Sequence, residues 1–104
     1  MSSEKLPNQF VKISDEYTDL LTAVENLGVA AKMSGPIDEK QAQLIQLAAA
    51  ASIRSEGAVH SHTRRAMKAG ANREEVHHTL LLLTSTIGFP TVAAALSWAD
   101  DVIP

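Results

Sequence analysis

The sequence predicts an all-α fold, a compact bundle of about five helices. Three observations carry this. Apolar residues recur at three- and four-residue steps in one segment after another. No segment alternates with period two, as a half-buried strand would. Short punctuation separates the segments: Pro7-Asn8, Gly28 with Ser34-Gly35-Pro36, Gly70-Ala71-Asn72, and Gly88-Phe89-Pro90.

The first helix is expected over about residues 8–27. Phe10, Ile13, Tyr17, Leu20, Leu21, Val24 and Leu27 fall within a stripe of about 120°. Lys12, Asp15, Glu16, Asp19 and Asn26 lie off it, so one side should be buried. The second helix opens at Asp38, where Asp38-Glu39-Lys40-Gln41 fits a capping box. Leu44, Ile45, Leu47, the run Ala48 to Ala51 and Ile53 leave few polar positions, so it should be buried on most sides. Gly57 is the expected break before the third helix, which spans about residues 56–69 and stops at Gly70. Its Ala58, Val59, His62, Ala66 and Ala69 share one face; His60, Arg64 and Lys68 share another.

The fourth helix begins with a second capping box, Asn72-Arg73-Glu74-Glu75. Val76, Leu80, Leu83 and Ile87 form its stripe, while Leu81 and Leu82 make a second apolar face. Pro90 suits the first turn of the fifth helix, which carries Val92, Ala93, Ala95, Leu96, Trp98 and Ala99. No linker or internal repeat interrupts the chain, so residues 1–104 are expected to form a single domain. Two such apolar helices exceed what one small core needs, which points to a homo-oligomer rather than a closed monomer.

Composition excludes several function classes. Lys and Arg number 9 against 12 Asp and Glu, a net charge of −3, without the basic excess of a nucleic-acid binder. There is no cysteine, which removes disulfides, thiolate catalysis, zinc–cysteine sites and iron–sulfur clusters from this chain. The start MSSEKLPNQF lacks the apolar core of a signal peptide, and no run approaches the ~18 apolar residues of a membrane span. The expectation is a cytoplasmic protein without membrane or nucleic-acid partners. Glycine-rich phosphate loops, the Gly-x-Ser-x-Gly elbow and His-Glu-x-x-His are all missing.

One stretch looks chemical, Ser55-Glu56-Gly57-Ala58-Val59-His60-Ser61-His62. His62 sits among alanines on an apolar helix face, with Ser55 two turns earlier on the same side. A buried imidazole must find a hydrogen-bond partner or cost about 1–3 kcal/mol. Burial without a carboxylate partner would keep it neutral and able to accept a proton. Spacing alone leaves two readings, a core histidine bonded to main chain or water, and a reactive one; the first is the commoner kind. His60 faces about 160° away and is expected to join Glu56 and Arg64 in a solvated network. His60-x-His62 and His77-His78 diverge on a helix, so no metal site is expected. Arg64, Arg65 and Lys68 form a small basic cluster, in which Arg65 lies nearer the His62 side.

Four pieces of residues 36–102 together resemble the carboxymuconolactone decarboxylase superfamily, which includes alkylhydroperoxidase D. They are Gln43-Leu44-Ile45-Gln46-Leu47-Ala48-Ala49-Ala50, His62-x-x-x-Ala66-x-x-x-Gly70, Asn72-Arg73-Glu74-Glu75-Val76 and Gly88-Phe89-Pro90-Thr91-Val92-Ala93. The resemblance implies an all-helical domain that assembles as trimers or hexamers. Its peroxidase branch uses Cys-x-x-Cys and a glutamate; here those positions hold Ser55, Ala58 and Gln43, and only His62 remains. Thiol-based peroxide reduction by this chain is thereby excluded on composition. The decarboxylase branch lacks the cysteine pair and is the closer match there. It implies a cofactor-free site for a small acidic or lactone ligand. His62 would serve as catalytic proton donor or acceptor, Gln43 and Ser55 would line the site, and Arg65 or Arg54 would hold a carboxylate. That branch usually keeps a carboxylate near its histidine, where this chain has Ala58. The alternative is a non-catalytic oligomeric binding or scaffold protein of the same fold.

Overall fold

A computed structural model describes residues 7–104. Met1–Leu6, on which the reading of the amino-terminal start partly rests, lie outside them. Every regular element among the described residues is helical. The segments are α1 (Asn8–Glu16), α2 (Thr18–Lys32), α3 (Glu39–Ser52), α4 (Glu56–Lys68), α5 (Arg73–Leu81), α6 (Thr84–Ile87) and α7 (Phe89–Asp100). That is seven where about five were expected. The chain divides after Pro36 into two compact units.

In the first unit, the single helix expected over residues 8–27 is two. Tyr17, at φ −130° and ψ 53°, leaves the helical region, although its N–H still donates to Ile13 O at 2.8 Å. Beyond it α2 runs through Gly28 to Lys32. The expected buried side is not buried: Leu20 is 59 %, Val24 54 % and Leu27 70 % exposed. Two short helices alone offer no further layer to cover an apolar stripe.

The second unit starts at Ile37. Asp38 caps α3, its carboxylate accepting from the Gln41 N–H at 2.8 Å. The break before α4 falls at Arg54, not at Gly57, which is inside the first turn of α4. Arg54 has φ +56°, and the surrounding bonds define a Schellman motif. The Ser55 N–H donates to Ala50 O and the Arg54 N–H to Ala51 O, both at 3.0 Å. The same pair of bonds ends α4, from Ala71 to Ala66 and from Gly70 to Met67, with Gly70 at φ +107°. Asn72 and Glu75 close a complete capping box on α5.

Leu47, Val59, Ala66, Val76, Leu80, Ala95 and Ala99 are fully buried and join α3, α4, α5 and α7 in one core. Burying a side chain such as Leu47 or Leu80 contributes about 1.5–3 kcal/mol. The small residues among them let helix backbones approach closely. The far sides of these helices stay open. Ile45, Leu81 and Leu82 are about half exposed or more, so α3 is not covered on most sides. A Lys40–Glu75 ion pair at 2.9 Å ties α3 to α5.

Candidate functional site

Site residues come from the facing helices α3 and α4. Glu39 and Gln43 are four apart near the start of α3 and so share a face. His62 stands in the middle of α4, half-buried. Gln43 is 0 % exposed, the only fully buried amide side chain among the described residues. Both of its ends are satisfied. Gln43 Nε2 donates to Glu39 Oε1 at 2.9 Å, and Gln43 Oε1 lies 2.8 Å from His62 Nδ1. The outcome for His62 therefore differs from a histidine bonded to main chain or water. Its ring is held by a side chain of the neighbouring helix, at Nδ1, and the residue is not sealed from solvent.

The other predicted residues stand apart from this pair. Ser55 is the N-cap residue of α4, without a side-chain cap bond, and lies about 10 Å up the helix axis from His62. Arg65 is exposed in the last turn of α4, one turn beyond His62. Arg54 is exposed and donates from Nη1 to Thr91 Oγ1 at 2.7 Å, reaching the first turn of α7. Ala58 packs partly buried against the core. Thr63, beside His62 in the chain, is 0 % exposed, and no described residue offers its hydroxyl a hydrogen bond.

His60 departs from the sequence reading. His60 was expected to pair along its own helix with Glu56 and Arg64. Instead its Nε2 lies 3.0 Å from Asp101 Oδ2, just past α7. His77 Nε2 lies 2.7 Å from Asp100 Oδ1. Adjacent aspartates at the end of α7 thus meet α4 and α5. Such contacts span 41 and 23 residues, and local spacing carries no signal of them. Glu39 was also missed as a site residue; its signal was the four-residue step to Gln43. Among the described residues no group of three or more His, Asp or Glu is arranged to hold a metal ion, and no helix is long and apolar enough to cross a membrane. An open depression of about 500 Å³ runs along α5 between Asn72 and Leu81 and includes none of the predicted site residues.

Chemically, the arrangement is a half-buried imidazole whose Nδ1 faces the carbonyl oxygen of a buried amide. An imidazole gives and takes protons near neutral pH.

The model of the carboxymuconolactone decarboxylase family matches residues 16–101. The apo crystal structure of a carboxymuconolactone decarboxylase family protein from Legionella pneumophila is similar, with a TM-score of 0.77 and 29 % identity. The match covers 92 % of this chain and 88 % of that one. No curated protein matches the chain.

Proposed function

Since the chain belongs to the carboxymuconolactone decarboxylase family, we propose that it carries a cofactor-free acid–base site centred on His62, acting on a small acidic or lactone substrate. The observation that carries this reading is the Gln43–His62 contact at 2.8 Å, which orients a half-buried ring from a fully buried neighbour. Decarboxylation of a lactone acid breaks the bond to the carboxylate carbon. The electron pair left behind must be stabilised and then protonated. His62 supplies that proton when charged and accepts one when neutral. Ser55 would add polar contact to the ligand. Arg65 or Arg54 would pair with the substrate carboxylate, a charge-assisted contact that a guanidinium makes well. The chain contains no thiol, so the peroxide chemistry of the cysteine-bearing branch has no part in this proposal.

The test is turnover of a panel of lactone acids by the intact protein and by His62→Ala. Loss of turnover in the variant is the expected result. Turnover and ligand affinity that are both unchanged would overturn the site.

The same reading has the protein act as a homo-oligomer, a trimer or hexamer. Support comes from the exposed Leu20, Val24 and Leu27 of the first unit and Ile45, Leu81 and Leu82 of the second. Light scattering should give a multiple of the 11.1 kDa chain mass; a value near one chain mass would refute it. The exposed apolar surface also favours the second reading, a non-catalytic oligomeric binding or scaffold protein. That reading expects full assembly with no substrate turned over and no loss on His62→Ala.

A further inference from the structure

We infer that Glu39 and Gln43 are positioning residues that dictate which nitrogen of His62 carries the exchangeable proton. The inference rests on the proposed role of His62 and adds the direction in which that ring works.

The argument is one of donors and acceptors. A carboxylate only accepts hydrogen bonds. Glu39 Oε1 is 2.9 Å from one end of the Gln43 amide, so that end must be the NH2 group. The other end is then the carbonyl oxygen, which also only accepts. It lies 2.8 Å from His62 Nδ1, so Nδ1 must carry a hydrogen and donate. This holds whether the ring is neutral or charged. The proton that comes and goes is therefore the one on Nε2, and the neutral ring has its lone pair there. Gln43 is fully buried, so no water competes for the two ends of its amide and the orientation is held. Glu39 sits exposed in the first turn of α3. A surface carboxylate thus sets the tautomer of a histidine on another helix through one buried amide.

In acid–base chemistry at His62, the proton taken up and the proton given back are then both the one on Nε2.

Nitrogen-15 NMR of the histidine ring tests this, in the full chain and at a pH where His62 is neutral. The wild-type ring should show Nδ1 as the protonated, pyrrole-like nitrogen and Nε2 as the pyridine-like one. Glu39→Lys replaces an acceptor with a donor. The amide must then turn, its NH2 group faces Nδ1, and the two nitrogen signals should exchange character. Adding Gln43→Glu to Glu39→Lys restores an acceptor opposite Nδ1 and should return the wild-type pattern. Glu39 is exposed, so the single variant leaves the core intact. A wild-type ring protonated at Nε2 would overturn the inference, as would a Glu39→Lys ring that keeps the wild-type pattern. The readout is independent of turnover. An exchanged tautomer beside unchanged activity in His62→Ala would sink the proposed function and leave this inference standing. A wild-type pattern in Glu39→Lys beside lost activity in His62→Ala would do the reverse.

Discussion

Thr63→Val should make the protein more stable. Thr63 is 0 % exposed in the middle of α4, and no described residue offers its hydroxyl a hydrogen bond. Folding strips that hydroxyl of water and returns nothing, a cost of about 1–3 kcal/mol. Valine has nearly the same shape and places a methyl group where the hydroxyl was. The two residues have similar helix propensity, so the backbone term cancels to first order. The expected gain is therefore about 1–3 kcal/mol. For a domain near this size each kcal/mol moves Tm by about 4–8 °C, so a rise on the order of 5–20 °C is expected. Urea titration at one fixed protomer concentration is the assay, because assembly would otherwise add its own concentration dependence. The slope m should stay constant while the midpoint rises. Thr63→Ser keeps the hydroxyl and removes the methyl group, so it should fall below wild type and fix the order Val, Thr, Ser. A Thr63→Val protein less stable by about 1 kcal/mol or more would refute the reasoning. It would mean that the hydroxyl is bonded in the folded protein, to buried water or to another subunit.

Asn72→Ala removes one half of the α5 capping box, Asn72 Oδ1 accepting from the Glu75 N–H at 2.8 Å, and keeps the other, in which the Asn72 N–H donates to Glu75 Oε1; urea titration should show a loss of about 1 kcal/mol. At Arg54 the test is a comparison of two variants by the same method: Arg54→Gly and Arg54→Ala both lose the contact with Thr91, but only glycine accepts φ +56° without strain, so Arg54→Gly should be the more stable by about 1 kcal/mol. The Lys40–Glu75 pair gives a pH dependence. Its hydrogen bond to Lys40, helped by the Asn72 N–H, holds Glu75 below the ordinary carboxylate value, so that contribution is present above the unfolded carboxylate pKa and is lost as pH falls through the lowered one. The same hydrogen bond raises Lys40, whose contribution is present below the ordinary lysine pKa and is lost as pH rises through the raised one. The stability difference between wild type and Glu75→Gln should therefore be largest between those limits and shrink at both ends of a pH series; a difference that is flat with pH would refute the pair.

What the sequence made legible was local chemistry. Asp38, Asn72 and Gly70 each act within four residues of their own position, and all three end or start helices where their residue types imply. The breaks at Tyr17 and Arg54 were hidden for the opposite reason. The apolar spacing continues in phase across Tyr17, so periodicity registers no interruption. Arg54 occupies a left-handed position that glycine normally fills, and the nearby Gly57 drew the expected break three residues too late. The second Schellman motif, closed by Gly70, shows the same two bonds with the residue that advertises them.

The site divides along the same line. His62 stands out by its place on an apolar helix face and Gln43 by the resemblance, and the structure joins them at 2.8 Å. Glu39 was read only as part of the helix cap. A glutamine surrounded by Leu44, Leu47 and alanines is costly to bury unless both ends of its amide are bonded. His62 can satisfy only one of them at the length of a single hydrogen bond. The other needs an acceptor, and Glu39, four residues back on the same helix face, supplies it. The burial of that amide is set by tertiary packing, so Glu39 joins the Gln43–His62 pair only once the fold is known.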